Sequence, residues 1–369
     1  MKFVSVVKRA MTEYRRADRT DLDSGDVSDV RGREEFREGY FAFTALAASP
    51  DGTTLYCGTT NFGGNLLQAF DPRAKTFDSL GYESVREPNE VKIHRGLCVG
   101  GDGCVYAATS CLTPINKLAG TPGGKLVRYD PADRRFEVLA HPMVANYIQT
   151  ISLDWRRRMI YGMGYPAFDF FAYSLERREV VYRQFMGSIA HIAAIDDDGG
   201  YWGTWYGRGR RHLLYRYDPA ANEVRFFDHG FPTPCRSLMY DRAGPIDCMV
   251  NGGDGRLYVG HESGELYALD PRSGELAYLC KPMPGARLPA IGVGPDGLLI
   301  GIGGNDRVAY GFAYDRKSRR SEVLGKIAET DGEASCFRTH DCCLVGETLY
   351  VGETDNPERA CYLWECTLG

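Results

Sequence analysis

Four side chains able to move a proton or ligate a metal recur at one register of this chain. His94 sits in the run Val91-Lys92-Ile93-His94-Arg95-Gly96-Leu97-Cys98-Val99, His191 opens His191-Ile-Ala-Ala-Ile-Asp196, and His340 opens His340-Asp-Cys-Cys-Leu-Val345. Gln149 takes the same place in Gln149-Thr-Ile-Ser-Leu-Asp154. Imidazoles serve as general acids and bases or as metal ligands, and an amide adds a carbonyl donor. Three of the seven histidines at one register is more than a plain core requires. Whether they meet depends on the element that carries them.

That element repeats. From residue 40 an apolar run leads to a Gly/Asp turn, a second run containing Leu-Tyr or Val-Tyr follows, a third ends in Tyr/Phe-Asp-Pro, and an amphipathic fourth closes the unit. Aligning the first runs matches Phe43, His94, Gln149, His191, Ile246, Leu288 and His340, at spacings of 51, 55, 42, 55, 42 and 52 residues. Four short strands per unit of this length predict an all-β, seven-bladed β-propeller of four-stranded antiparallel blades. Asp51-Gly52, Asp102-Gly103, Asp254-Gly255 and Asp296-Gly297 supply hairpin turns that need positive φ. Asp-Pro at 71–72, 130–131, 218–219 and 270–271 ends a strand, because proline has no N–H for the ladder. The expected organisation is a single propeller over 1–369, with a closing strand at 2–7, a charged lead-in at 8–38 and blades over 40–368. The seventh unit stops after its third strand, so 2–7 is expected to supply the fourth and cover two open edges. The stretches 111–122 and 231–245 are expected to be loop insertions.

First strands of propeller blades line a central channel, so His94, Gln149, His191 and His340 are expected to converge at one mouth. Loops on that face add Tyr165, Trp205, Tyr206, Arg208 and Arg210, with Glu353 and Asp355 from the last blade, and His261 is placed on a loop facing the same funnel. Aromatic faces suit sugar rings, and guanidinium forks suit carboxylates. Candidate catalytic residues are His94, His340, His191, Tyr165 and Arg208. Candidate substrate contacts are Arg95, Trp205, Tyr206, Arg210 and Arg338.

Composition narrows the class. A formal net charge of −5 gives no footprint for nucleic acid, and no apolar run reaches the ~18 residues of a membrane helix. The N-terminal apolar patch is shorter than a secretory signal. Twelve scattered cysteines without CxxC spacing indicate neither a zinc module nor a disulfide framework, so a cytoplasmic location is expected.

A histidine base, a tyrosine phenol and an arginine in one cleft meet the needs of β-elimination from a uronic acid residue. Neutralising the carboxylate stabilises the enolate-like intermediate, while one group removes the α-proton and another protonates the leaving oxygen. Val91-Lys-Ile-His-Arg-Gly-Leu97, Gly123-Gly-Lys-Leu-Val-Arg-Tyr-Asp-Pro131 and Tyr161-Gly-Met-Gly-Tyr-Pro166 resemble the seven-bladed propeller polysaccharide lyases, namely the ulvan lyases and the L-rhamnose–glucuronate lyase group. The resemblance covers most of 40–368 as a repeat and is specific around His94 and, less so, His340. It implies a carbon–oxygen lyase acting on a uronic-acid-containing oligo- or polysaccharide, with His94 leading and Tyr165 and Arg208 assisting. The set of three histidines and a glutamine is also similar in ligand type to the metal site of oligogalacturonate lyases. That likeness implies one divalent ion (Mn, Zn or Ca), with Gln149, His191 and His340 as its ligands. The alternatives are a non-catalytic propeller scaffold for a glycan or protein, and a small-molecule propeller lyase or lactonase.

Overall fold

A computed structural model of the chain describes residues 1–11, 39–111, 119–209, 211–234 and 243–369. Arg210, most of the charged lead-in and the middles of both expected insertions lie outside the described residues. The described chain forms seven four-stranded antiparallel sheets, as the repeat predicts. Blades 1 to 6 each take four consecutive strands, the first of them beginning at Phe41, Leu97, Tyr147, Ala194, Ile246 and Ala290. Blade 7 consists of Thr339–Val345, Thr348–Glu353 and Leu363–Leu368, with Phe3–Arg9 as its outermost strand. The closing strand therefore exists and runs slightly longer than expected. It pairs from Phe3 with Leu368 to Arg9 with Leu363, with a register shift between Phe3 and Ser5.

Turn chemistry sets the blades. Gly52, Gly103, Gly255 and Gly297 all adopt the positive φ expected after Asp. At the hairpins leading to the outer strands, Asp71, Asp130, Asp218, Asp270 and Asp315 each accept backbone N–H groups from within their own turn. Four residues beyond those aspartates, Lys75, Arg134, Asn222, Gly274 and Arg319 are all left-handed. Blades pack through their side chains, and the seam of blades 3 to 5 is the richest. There Tyr161, Phe170, Tyr201, Trp202, Tyr215 and Tyr217 are almost wholly buried in one cluster. Burying aromatics of this size supplies much of the apolar gain on folding.

The inner strands hold the feature that builds the channel mouth. In blades 1, 3, 5 and 7 the pairing of the first two strands slips by one residue near its start. The residues left unpaired are Thr44, Gln149, Asp247 and His340. A bulge re-aims the extra side chain and bends the strand, so these four residues are turned out of the blade sandwich. In blades 2 and 4 the strand starts only at Leu97 and Ala194, leaving His94 and His191 on the incoming segment. The bulge corrects the aligned register at two blades. Phe43 pairs with Thr59 and is buried in the core, and Thr44 takes the channel position. Ile246 pairs with His261, and Asp247 takes it in blade 5.

A chain lacking residues 1–9 would expose the edge of Leu363–Leu368 and uncover Trp364 and Cys366, both now fully buried. We predict a thermal midpoint lower by roughly 10 °C or more, with aggregation on size-exclusion chromatography. A peptide spanning residues 1–11 added in trans should recover part of the loss. An unchanged midpoint would show that the closing strand is dispensable.

Candidate functional site at the channel mouth

The channel mouth is built around a buried carboxylate. Asp247 has no exposed side-chain surface, and Arg287 grips it twice, Nε to Oδ2 at 3.0 Å and NH2 to Oδ1 at 2.9 Å. Arg95 reaches it from blade 2, with NH1 donating to the Asp247 backbone O at 2.7 Å and to Oδ1 at 3.3 Å. Arg95 is itself wholly buried at the side chain. The two guanidinium groups hold the Asp247 carboxyl far below the ordinary range, against the opposing pull of burial. Both arginines have left-handed backbones, with φ 43° at Arg95 and 74° at Arg287, at strand entries rather than hairpin tips. Such non-glycine conformations cost about 1–2 kcal/mol and persist only where the surroundings hold them. For Arg95 those surroundings are its N–H on the Thr44 carbonyl and its own carbonyl on the Thr150 hydroxyl.

From Arg95 a directed chain runs through two histidines. Arg95 Nε lies 3.5 Å from His340 Nδ1, His340 Nε2 lies 3.0 Å from His94 Nε2, and His94 Nδ1 lies 2.9 Å from the Gln149 carbonyl O. Arg95 can only donate and a carbonyl can only accept, so both tautomers follow from the ends. His340 accepts at Nδ1 and donates from Nε2, and His94 accepts at Nε2 and donates from Nδ1. Both rings are neutral in this arrangement. Burial first, then nearby Lys92 and Arg95 for His94, and Arg95 and His94 for His340, push the two imidazoles well below their usual value. His191 follows, lowered to about 3 chiefly by burial, with its ring centre 6.2 Å from that of His94. Asp341 moves the other way. It is raised to about 6, chiefly by burial, although the N–H groups of Leu46 and Cys342 hydrogen-bond to it.

The three histidines thus converge as the repeat predicts, and Gln149 joins them through its backbone carbonyl. Among the described residues, no three His, Cys, Asp or Glu side chains are grouped to hold a metal ion. Gln149, His191 and His340 do not fit a divalent cation as arranged. Two of the imidazoles are hydrogen-bonded to each other through their Nε2 atoms, and the positive charges of Lys92, Arg95 and Arg287 surround the rings. The donor set favours an anion.

The loop candidates disperse. Tyr165 ends the second strand of blade 3 and packs on Tyr147 and Phe168, with ring centres 5.0 and 5.4 Å away. Trp205 turns into its own blade, its indole N–H 3.3 Å from the Phe227 carbonyl and its ring against Phe226. Tyr206 rests on His212, Arg208 stands exposed at the hairpin tip, and Arg210 lies outside the described residues. Arg338 is committed to Asp306 and to Asp355, the latter at 2.8 Å. Glu353 accepts from Phe337, Asn356, Arg359, Tyr362 and Trp364, which makes it an organiser of blade 7. His261 ends a strand rather than sitting on a loop, and it is fully buried.

Asp247, Arg287 and Asp341 are the residues of the mouth that the register argument missed. Asp247 had a signal, since a carboxylate inside the apolar run Ile246-Asp-Cys-Met-Val250 demands a partner. Arg287, just before Leu288 at the blade 6 register, was the matching cation.

No protein-family model matches the chain, and no curated protein matches it by sequence. Solved structures share its fold. One titled as a streptogramin B lyase structure superposes with a TM-score of 0.62 at 12% identity, covering 100% of both chains. Extracellular domains of two putative hybrid two-component systems from B. thetaiotaomicron give TM-scores of 0.57 and 0.58 at 13% and 12% identity. Those matches cover 88% and 89% of this chain but only 38% and 39% of theirs, so the chain spans well under half their length. Identities this low establish the seven-bladed architecture alone.

Two outcomes follow from the buried charges. Asp247→Ala leaves two guanidinium groups facing each other without a counter-charge. The expected loss is about 3–5 kcal/mol of stability in chemical denaturation, against little change if the pair were solvated. His191 has a folded value near 3 against 6.5 for the ordinary imidazole, so below pH 6.5 the unfolded chain binds a proton that the folded one refuses. Its contribution is complete above pH 6.5 and is lost as pH falls toward 3. Asp341, raised from 3.8 to about 6, acts oppositely: its contribution is complete below pH 3.8 and is lost as pH rises through 6. His191→Gln should therefore flatten the acid side of the stability profile between pH 6.5 and 5 by up to roughly 1.4 kcal/mol per pH unit. An unchanged slope would mean that His191 charges freely in the folded protein.

Proposed function

We propose that the channel mouth binds a carboxylate-bearing carbohydrate and cleaves it by β-elimination, as a carbon–oxygen lyase on uronic-acid-containing oligo- or polysaccharides. The observation that carries this reading is the NH2 of Arg95, buried at the mouth and without an acceptor among the described residues, beside neutral imidazoles. A buried guanidinium N–H left open is costly, and a carboxylate oxygen is its natural complement. Lys92, whose charge acts on all three histidines, adds a second cation to the same mouth. A solved neighbour of equal coverage bears the name of a lyase, which supports the reaction class but not the substrate.

In this reading the substrate carboxylate docks on Arg95 and Lys92, and the carbon next to it becomes acidic. A base takes that proton, the electron pair forms a carbon–carbon double bond, and the bond to the β-oxygen breaks. The leaving oxygen must receive a proton. The His340–His94 pair holds one proton between two Nε2 atoms and suits that exchange. His191, uncharged at neutral pH, is the candidate base. An incoming carboxylate brings negative charge beside the rings, and so raises their affinity for a proton. A second reading, a propeller that binds an anionic glycan without cleaving it, draws on the same chain. Both nitrogens of His94 are engaged there, which leaves that ring closed until a ligand rearranges it.

The unsaturated product of elimination absorbs in the near ultraviolet, so a panel of uronate oligosaccharides gives a direct assay. Arg95→Gln and His94→Gln are each expected to lower kcat/KM by roughly 10²–10⁴-fold. Wild-type protein silent on the whole panel, yet binding the same sugars in calorimetry, would select the scaffold reading. Full activity in His94→Gln would end its assignment to proton transfer.

A further inference from the structure

The face opposite the funnel carries a groove between blades 5 and 6 that the channel chemistry does not use. It has a volume of about 390 Å³, and its lining includes Ala268, Ala277, Tyr278, Tyr314, Arg256 and Arg319. Cavities of this size accommodate small organic ligands.

Its origin shows in the repeat. At one register of the third strand, blades 2 and 4 carry Arg128 and Arg216. Each folds onto the first-turn aspartate of its own blade, Arg128 Nε at 3.6 Å from Asp102 and Arg216 Nε at 2.7 Å from Asp196. In blade 5 that register holds Ala268, which pairs across to Ala277 on the outer strand. The corresponding pairs elsewhere are Ala69 with Asp78, Arg128 with Glu137, Ala172 with Tyr182, Arg216 with Arg225, and Ala313 with Glu322. Blade 5 alone among these six pairs two methyl groups, and the guanidinium that meets its first-turn aspartate comes from blade 6 instead.

The blade 5 aspartate is satisfied from elsewhere. Arg316 crosses from blade 6 to bring NH1 to 2.8 Å from Asp254 Oδ2, and the Tyr258 hydroxyl donates to the same oxygen at 2.8 Å. Arg316 also donates to the carbonyls of Gly252 and Gly297. That leaves Arg256 and Arg319 as exposed cations with no ion pair among the described residues. Asp315, in the same turn as Arg319, is occupied by the N–H groups of Lys317 and Ser318 and by the Ser318 hydroxyl. The groove thus combines an exposed tyrosine, Tyr278, with two cations at its lip.

We propose that this groove is a second ligand site, separate from the funnel, for a small flat-ringed organic anion. The ring packs against Tyr278, the exposed aromatic of the lining, and the anionic group meets Arg256 and Arg319. A phosphate or a carboxylate would satisfy the same guanidinium pair.

Titration calorimetry of the full chain with adenosine monophosphate and, separately, 4-hydroxybenzoate tests the site and distinguishes the two anions. Inorganic phosphate and adenosine serve as controls. At least one ring-bearing anion is expected to bind at least tenfold more tightly than either control. Ala268→Arg, which installs the side chain of blades 2 and 4, should weaken that binding at least tenfold. Arg319→Gly removes a guanidinium where φ is 57° and where blade 5 itself has Gly274, so it should fold normally and also weaken binding severalfold. Arg95→Gln, in the funnel, should leave it unchanged. The proposal is overturned if neither anion binds, if inorganic phosphate binds as tightly, if both groove variants bind like wild type, or if Arg95→Gln removes the binding.

Discussion

A single wholly buried carboxylate governs the channel of this propeller. Asp247 cannot remain charged without water unless its partners are near and correctly aimed, and it receives them from two directions. Arg287 arrives on the segment entering blade 6, and Arg95 arrives across the channel from blade 2. A contact spanning the ring limits how far the blades it joins can move apart. It also carries positive charge into the midst of the imidazoles. Burial first, and that charge after it, keep the histidines neutral, and the arginine sets the single direction of their hydrogen bonds.

The same constraint explains why Arg95 tolerates an unfavourable backbone. A guanidinium on a relaxed strand would point along the blade, and the left-handed turn before Gly96 sends it into the channel instead. Thr44 and Thr150 then brace its peptide from both neighbouring blades. Strain held in place by neighbours is what pre-organisation of a binding group requires. The energy stored at the mouth is recovered in packing elsewhere, above all in the tyrosine-rich seam of blades 3 to 5.

Most of the architecture was legible because it is written in short-range chemistry. Asp-Gly and Asp-Pro turns, period-two strands and a unit repeated seven times leave few other folds open, and the missing fourth strand of blade 7 pointed to Phe3–Arg9. The convergence of His94, His191 and His340 followed from that repeat. What escaped depends on a one-residue slip or on long-range pairing. A bulge moves the channel position from Ile246 to Asp247, and a slip of one residue turns an apolar residue into a charged one. Arg338 reads as a free cation in the sequence, since its partners Asp306 and Asp355 are 32 and 17 residues away. Trp205 reads as a loop aromatic, and only the fold shows its indole N–H committed to the Phe227 carbonyl.

Blade 7 joins residues 3–9 to residues 363–368, and that arrangement has a consequence for biosynthesis. During translation the first strand must wait, unpaired, for almost the whole chain to be made. Blades 1 to 6 can each form from neighbouring segments as they emerge, because their pairings are local. The channel chain cannot, since His340 belongs to the last blade and its partners His94 and Arg95 to the second. A nascent ring therefore carries its cationic arginine without the imidazole that completes it, and the mouth is assembled only once the last blade has been made.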